Sequence, residues 1–340
     1  MSSSNPPYDA FLLVSFGGPE GPDDVMPFLE NVLRGKRVPR ERMLEVAEHY
    51  KHFGGVSPIN EQNRALIAAL GEQFSRDGID LPIYWGNRNW SPLLPEALQQ
   101  IAGDGKRRVL AFFTSMYSSY SGCRQYRENI QQAQAEVGPQ APQVDKLRFG
   151  FNHPGFVGPM AENVRASLQS LDADVSTPVL FTAHSIPLAM ADNCSYQRQL
   201  EESCRLVAES LGLTNWQLVY QSRSGPPQQP WLEPDVCDTI AAMDDDQKLE
   251  SLVIAPVGFI SDHMEVIYDL DDEAATLCRQ RSIHMARSST VGTHPDFVAM
   301  IAELVRERMT DDVPRRALGD LGPWHDVCPL DCCLYKPTRP

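Results

Sequence analysis

Four carboxylates and a histidine stand where the sequence changes from strand-like to helical character. The first half of the stretch 252–273 is a short apolar run rich in β-branched residues, typical of a buried strand, and Ser261, Asp262 and His263 follow it. On a helix that begins near Asp262, one face carries four acidic residues: Glu265, Asp269, Asp272 and Glu273. Because like charges four residues apart repel by about 0.2–0.5 kcal/mol per pair, such a face favours a bound cation or a proton path.

Helix capping is the simpler interpretation of the same stretch. Asp262 and Glu265 have the spacing of a capping box, and acidic residues in a first turn stabilise any helix through its dipole. The acidic face would then be a solvated surface. Residues 252–273 alone leave both interpretations open.

A second histidine, His184, follows another predicted strand, 178–183. If the two strands are parallel neighbours, His184 and Glu265 meet at the carboxyl edge of a sheet, where α/β proteins bind their ligands. An imidazole that titrates near neutral pH and faces a carboxylate can bind a divalent metal or accept protons. The alternative for a single histidine is a hydrogen-bonded core side chain. The acidic segment beside His184 favours the functional interpretation.

The elements that must position these residues alternate between strand and helix in both halves of the chain. The predicted strands are 8–16, 81–85, 108–113, 146–151, 178–183, 216–221, the start of 252–273, and 284–287. The first three each end in a Gly- or Ser-rich polar loop, which is typical of the carboxyl edge of a parallel sheet. We therefore expect an α/β protein with two doubly wound domains, 1–155 and 156–315, a cleft between them, and a tail, 316–340.

Composition narrows the function further. The 340 residues are 42% hydrophobic and 22% charged, as in soluble globular proteins, and the net charge of −15 argues against binding nucleic acid or an anionic membrane. The N-terminus has no signal-peptide pattern, and no apolar run approaches the roughly 20 residues that span a bilayer. We expect a cytoplasmic protein without stable membrane insertion, in which most of the five cysteines outside the tail are free thiols.

Several motifs, in order along the chain, resemble those of ferrochelatases. They are FGGPE (16–20), FGGVSPIN (53–60), TAHSIP (182–187), QSRSGP (221–226) with WLEP (231–234), and SDHMEVIYDLD (261–271). The resemblance covers about residues 8 to 310. It is closest to the coproporphyrin III ferrochelatases of actinobacterial type. It implies two flavodoxin-like domains with a porphyrin in the cleft between them and Fe²⁺ inserted into that porphyrin.

The resemblance also assigns roles to the residues already singled out. It implies that His184 is the principal proton acceptor and metal contact and that Glu265 is its partner. Asp262 and His263 would support this pair. The three remaining acidic residues would form a path leading from this pair, along which protons leave or metal enters: Asp269, Asp272 and Glu273.

The porphyrin itself has four candidate contacts. By resemblance these are Phe16, Ser57, Arg88 and Tyr126. Related bacterial enzymes carry at the position of Phe16 a tyrosine that can ligate the iron of the product, so axial ligation from that side is not expected here. Three further aromatic residues could line the pocket or belong to ordinary packing: Tyr50, Tyr120 and Trp231.

The basic segment 34–42 bears on the choice of porphyrin. It stands in place of the apolar, membrane-seeking lip of mitochondrial ferrochelatases, and its alternative is a solvated loop. Coproporphyrin III carries four propionates and protoporphyrin IX carries two, so a basic mouth favours coproporphyrin III, with protoporphyrin IX as the second candidate. A cobalt or nickel chelatase is a further alternative, although a second histidine would then be expected in place of Glu265. A haem or metal carrier is another.

The tail contains the second candidate site. Cys328, Cys332 and Cys333 crowd into the sequence CPLDCCLYKP. Some ferrochelatases hold a [2Fe–2S] cluster on three late cysteines and one from the first domain, which implies Cys123 as the fourth ligand here. Zinc binding and a reduced, metal-free tail are the alternatives. We expect a monomer, with a downstream enzyme of haem synthesis as a candidate partner.

Overall fold

Two separate parallel sheets organise the chain. The computed structural model describes residues 7–35, 38–226 and 228–335, and within them each sheet has four strands. The first sheet has the order β2-β1-β3-β4, with β1 (Ala10–Ser15), β2 (Ile83–Asn87), β3 (Arg108–Phe113) and β4 (Gln143–Lys146). The second has the order β6-β5-β7-β8, with β5 (Val179–His184), β6 (Trp216–Gln221), β7 (Ser251–Ala255) and β8 (His284–Arg287). The shared order, with all neighbours parallel, confirms the predicted pair of doubly wound, flavodoxin-like sheets.

Helices connect the strands in both halves. Those of the first half are α1 (Val25–Val32), α2 (Arg40–His52), α3 (Ile59–Asp77), α4 (Leu94–Gly103) and α5 (Gln125–Val137). Those of the second half are α6 (Pro154–Ser170), α7 (Leu188–Ala191), α8 (Tyr196–Leu211), α9 (Val236–Gln247), α10 (Met264–Val266), α11 (Ala275–Gln280) and α12 (Pro295–Met309). Two segments are π-helical, Tyr120–Arg124 and Ile267–Ala274, and the second joins α10 to α11.

Strand β1 shows how the helices cover a sheet. All six of its residues are buried. Phe11 and Leu13 face a core that includes α3 and α6, whereas Leu12 and Val14 face α4 and α5. Because successive side chains of a strand point to opposite faces, an unbroken apolar run predicts helices on both sides of the sheet.

Helix α12 joins the two halves. It follows the last strand of the second sheet but packs against α3 as well as α6, and Phe297 contacts Phe112 of β3 with ring centroids 6.3 Å apart. Near the end of α12, Glu307 forms a buried ion pair with Arg148 at 2.7 Å. The predicted boundary at residue 155 falls in the first turn of α6, and the domain limits stay a prediction.

Several element boundaries differ from the sequence-based expectation. The fourth strand ends at Lys146 instead of beginning there. After one more backbone hydrogen bond, from the Leu147 N–H to the Ala111 carbonyl, the chain leaves β3, and Leu147, Phe149 and Phe151 are buried in the core outside the strand. An apolar run alone does not separate these two cases. The sequence pattern predicts a helix over 192–211, but α8 begins at Tyr196, four residues later.

The start of α3 also differs. The sequence pattern predicts a helix over 61–74 with Ser57 or Asn60 as a possible cap, but α3 begins at Ile59 and neither residue caps it. Asn60 lies inside the helix, and its side chain donates to the carbonyl of Gly18. No helix in the described residues is long and apolar enough to cross a membrane.

Candidate active site

His184 and Glu265 meet at the carboxyl edge of the second sheet. His184 is the last residue of β5, and Glu265 lies in α10, which follows the neighbouring parallel strand β7. The distance from His184 Nε2 to Glu265 Oε2 is 3.6 Å. The two residues are 81 positions apart in sequence, so only the parallel pairing of β5 and β7 brings them together.

The environment of His184 sets its charge. Its Nδ1 hydrogen-bonds to the carbonyl of Ser185, which leaves Nε2 facing Glu265. Burial lowers the pKa of His184, but the charge and hydrogen bond of Glu265 outweigh burial and raise the pKa to about 9. The imidazole is therefore protonated at neutral pH in the protein without ligands. This pKa is higher than the near-neutral value expected from the sequence, because Glu265 stabilises the protonated ring more than burial disfavours it.

A second imidazole lies on the other side of Glu265. His263 precedes the first residue of α10, and its Nδ1 is 3.9 Å from Glu265 Oε2. Burial lowers the pKa of His263, and the positive charge of His184 lowers it further. Glu265 thus lies between a protonated and a neutral imidazole, an arrangement suited to passing a proton.

Asp262 does not form the predicted capping box. The helix begins at Met264, and the Asp262 carboxylate instead accepts two hydrogen bonds of 3.1 Å from Arg287 of β8. Its backbone N–H donates to Gln62 Oε1 of α3 at 2.9 Å. Asp262 therefore ties the loop before α10 to β8 and to the first half of the molecule.

The acidic residues beyond Glu265 lie on a π-helical segment instead of the expected α-helix. Burial raises the pKa of Asp269 to about 7, and the charges of Glu265 and Glu273 add to that effect. The pKa of Glu273 is raised by burial and by Asp235 and Asp272. Neighbouring carboxylates along the segment are therefore close enough to raise the pKa of one another. Within the described ranges, no group of three or more His, Cys, Asp or Glu side chains is arranged to hold a metal ion as it stands.

Helix α2 contacts the far end of this acidic segment. The ring of His49 stacks on Tyr268 with centroids 3.8 Å apart and planes at 7°, and His52 Nε2 is 3.8 Å from Asp272 Oδ2. These contacts join the first half of the chain to the second. Sequence analysis missed both histidines and Tyr268, and the only signal for them was the run His49-Tyr50-Lys51-His52 before a Gly pair.

Three predicted porphyrin contacts come together: Phe16 and Arg88, which follow the neighbouring strands β1 and β2, and Tyr126 in the first turn of α5. The Arg88 guanidinium lies over the rings of Phe16, 5.6 Å away, and Tyr126, 4.5 Å away. Its Nε donates to Asn129 Oδ1 at 2.8 Å. The Phe16 ring therefore makes a cation–π contact with Arg88, and this contact does not need the hydroxyl of a tyrosine.

Ser57 lies apart from this group, in the turn between α2 and α3. It is 4% exposed, and its N–H donates to the carbonyl of Pro19. A Cβ at Gly18 would come within 2.6 Å of Ser57 Cβ, so the turn needs glycine at position 18. Ser57 shapes the loop after β1, and its predicted contact with porphyrin stays a prediction.

The three further aromatic candidates lie in different surroundings. Burial raises the pKa of Tyr50, and the charge of Glu265 adds to it, so Tyr50 faces the acidic site from α2. Tyr120 contacts Tyr335 of the tail with ring centroids 5.8 Å apart. Trp231 lies against Gly225, where a Cβ would approach its Nε1 to 2.3 Å.

The four predicted cluster cysteines share one region. The pKa of Cys328 is lowered chiefly by a hydrogen bond from the Cys123 thiol, and the pKa of Cys332 responds to both Cys328 and Cys333. Arg124 holds the tail in place, since its NH1 donates to the carbonyls of Leu330 and Cys332 at 2.8 and 2.9 Å. All eight cysteines are free thiols.

The basic segment is partly helical. Arg34, Arg40 and Arg42 are exposed, and the described part of 34–39 is a solvated loop, but the loop ends where α2 begins at Arg40 and does not reach residue 42. Arg42 pairs locally with Glu45 at 2.7 Å. Lys36 and Arg37 lie outside the described residues.

Comparisons with known proteins place this geometry in a family. The family model for ferrochelatase matches residues 8–309. The chain is 71% identical to a protein of Rhodopirellula baltica named ferrochelatase, over 99% of this chain and 97% of that one. It is 51% identical to the coproporphyrin III ferrochelatase of Streptomyces coelicolor, over 98% and 95% of the two chains.

The solved structures agree on the fold. SirB from Bacillus subtilis with Fe³⁺ matches with a TM-score of 0.55 and 13% identity, over 89% of this chain and 96% of that one. At this identity the likeness concerns the fold alone. The match to the ferrochelatase family over nearly the whole chain, together with the identity to its members, shows that the chain belongs to the ferrochelatase family.

Proposed function

We propose that the chain inserts Fe²⁺ into coproporphyrin III, with His184 and Glu265 as the pair that receives the metal and the pyrrole protons. The observation that carries the proposal is the 3.6 Å contact between these side chains at the carboxyl edge of the second sheet. Relatives named coproporphyrin III ferrochelatases at 44–51% identity support the choice of porphyrin.

Insertion breaks two pyrrole N–H bonds, forms four bonds from nitrogen to iron, and releases two protons. His184 already carries a proton in the free enzyme, so it must release that proton before it can accept another. An approaching dication lowers the pKa of a nearby imidazole, because it disfavours the protonated form. Arrival of Fe²⁺ therefore drives the His184 proton toward Glu265 and frees Nε2 for the pyrrole proton.

The acidic segment continues the path. With a pKa of about 7, Asp269 can both take up and give back a proton at neutral pH. Protons can then leave toward Asp272 and Glu273, while the negative charge of the same residues attracts the incoming cation. The two uses are compatible, because each metal ion that enters displaces protons that must leave.

The positive charges fit a porphyrin with four carboxylates. Arg88 presents a guanidinium held between two rings at the end of β2, and the exposed Arg34, Arg40 and Arg42 precede or begin α2. Each additional propionate gives such groups another partner for a charge-assisted hydrogen bond. Protoporphyrin IX, with two propionates, is the second candidate.

We also propose that a [2Fe–2S] cluster binds to Cys123, Cys328, Cys332 and Cys333. Thiolates are the ligands of such clusters, and support for the proposal comes from four free thiols that interact with one another, one of them with a pKa lowered by a hydrogen bond. Within the described residues these thiols are not arranged to hold a metal ion as they stand, so cluster binding would have to draw them together. When bound, such a cluster would supply a redox-sensitive crosslink. The chain's own contribution is the docking of the tail by Arg124 and Arg127, which accounts for the position of the three late thiols.

The decisive experiment is anaerobic Fe²⁺ insertion into coproporphyrin III and protoporphyrin IX in parallel, followed by loss of porphyrin fluorescence. Faster loss with coproporphyrin III supports the proposal, and faster loss with protoporphyrin IX reverses the choice of substrate. No loss with either would refute insertion and leave a carrier or another tetrapyrrole. We further propose a cytoplasmic monomer that hands its product to a downstream enzyme. The net charge of −15 and the free thiols support that setting.

A further inference from the structure

The last residue of β6, Gln221, and the residue that follows it, Ser222, contact the same carboxylate. Gln221 Nε2 donates to Asp269 Oδ2 at 3.1 Å, and Ser222 Oγ donates to the same oxygen. Successive side chains of a strand point to opposite faces, so neighbours do not ordinarily reach one atom. Ser222 makes the convergence possible with a φ of +62°, a left-handed conformation that residues other than glycine rarely adopt.

Gln221 also contacts the residues on either side of the site. Its side-chain Nε2 donates to the backbone carbonyl of Glu265 at 3.2 Å. Its backbone carbonyl accepts a hydrogen bond from the N–H of Ser185 at 2.8 Å. The register of the second sheet pairs Gln221 with His184. One residue, 1% exposed, therefore touches both the strand end that carries His184 and the helical segment that carries Glu265.

The orientation of the Gln221 amide follows from its partners. Both partners of Nε2 are acceptors, so a flipped amide would set Oε1 against two oxygens. In the observed orientation Oε1 is buried and has no hydrogen-bond partner among the described residues. An unpaired buried acceptor and a strained φ are both unfavourable, and their occurrence together beside the site points to a functional reason.

We propose that Gln221 and Ser222 are positioning residues that hold Glu265 and Asp269 at the distance from His184 needed to capture the metal. The proposal rests on the proposed role of His184 and Glu265. Neither Gln221 nor Ser222 contacts His184 Nε2 or supplies a metal ligand. They act through the backbone of Glu265 and the carboxylate of Asp269, which lie on the π-helical segment and its preceding turn.

Three variants test this role with Co²⁺ as the probe, titrated without porphyrin and followed by its visible absorption. Gln221→Met keeps the length of the side chain and removes its donor. Ser222→Gly removes the hydroxyl and relieves the strained φ, and Ser222→Ala removes the hydroxyl alone. We expect each to weaken Co²⁺ binding and raise the KM for Fe²⁺ by about tenfold, the effect of losing one buried hydrogen bond. The KM for porphyrin should change less than twofold.

Ser222→Gly separates positioning from general stability. Glycine adopts the left-handed conformation freely, so the Tm of this variant should not fall even as Co²⁺ binding weakens. The matched control is Gln217→Met, on the exposed part of the same strand, which should change neither quantity. A lower Tm with unchanged Co²⁺ affinity in Gln221→Met and Ser222→Ala would overturn the proposal.

A fourth variant, His184→Ala, separates failure of this inference from failure of the proposed function. If His184→Ala leaves Co²⁺ binding as in the wild type, the proposed metal site is refuted and the positioning role falls with it. If His184→Ala abolishes binding but the variants of Gln221 and Ser222 bind normally, only the positioning role is refuted. If wild-type protein binds no Co²⁺, both are refuted.

Discussion

The imidazole of His184 faces the carboxylate of Glu265 across 3.6 Å, and each residue comes from the end of a different strand of one sheet. His184 is protonated in the free enzyme, because the charge and hydrogen bond of Glu265 outweigh burial and raise the pKa of the imidazole to about 9. Two of the predictions below follow directly from this contact.

Replacing His184 with alanine should abolish insertion without unfolding the protein. Loss of a positioned acid–base group costs about 10²–10⁴-fold in kcat. The side chain lies at the rim of the sheet and is 31% exposed, so its removal opens little space in the core. Fluorescence-monitored insertion and the Tm together test the prediction, and substantial turnover in the folded variant would remove His184 from the mechanism.

The pH dependence of kcat/KM should report the charge of His184. The reactive form has an unprotonated Nε2, so kcat/KM should rise with pH and level off above about pH 9. In Glu265→Gln burial still lowers the pKa of His184, and only the Ser185 carbonyl and the charge of Asp269 remain to raise it, so the pKa falls and the rising limb moves to lower pH. The maximal rate should fall as well.

Measurement from pH 6 to pH 10 tests this shift. Glu162→Gln is the matched control, because Glu162 pairs with His294 at 3.1 Å away from the site and should leave the limb where it was. An unchanged limb in Glu265→Gln would show that the rise belongs to another group.

The sequence predicts the framework of this site better than its local geometry. The alternation of strands and helices is a local signal, and parallel pairing then brings His184 to Glu265. Asp262 shows the limit of local reasoning. Its spacing to Glu265 matches a capping box, but Arg287, 25 residues away in sequence, takes the carboxylate. The π-helical register of Ile267–Ala274 was likewise missed, because contacts from another strand, such as that of Gln221, act on this segment.

The stack of His49 on Tyr268 should slow release of the metallated porphyrin. The rings join α2 to the π-helical segment, and an aromatic pair contributes about 0.5–1.5 kcal/mol. Tyr268→Leu should therefore speed product release by roughly two- to tenfold in stopped-flow measurements. In a double-mutant cycle, adding His49→Leu should have little further effect, whereas additive effects would show that the stack does not act as a unit.

The basic segment should discriminate between porphyrins by charge. Changing Arg34, Arg40 and Arg42 together to glutamine should raise the KM for coproporphyrin III by about tenfold, and that for protoporphyrin IX by less, since exposed charges contribute about 0.2–1 kcal/mol each. High salt should narrow the difference. Arg76→Gln, near the C-terminal end of α3 and thus at the opposite edge of the sheet, is the control. Equal increases for both porphyrins would refute the role of the segment.

Serine at position 332 should remove the visible absorption of an iron–sulfur cluster from the purified protein. The change leaves three of the four proposed cysteine ligands, and three thiolates rarely retain such a cluster. Cys237→Ser, on α9 and outside the set, should leave the absorption and the iron and sulfide content unchanged. Because Arg124 binds carbonyls of the tail and not its thiols, the tail can stay docked in Cys332→Ser, so lost colour would report ligation. If the purified wild-type protein carries zinc, the tail is a zinc site. If it carries no metal, the tail is reduced and metal-free.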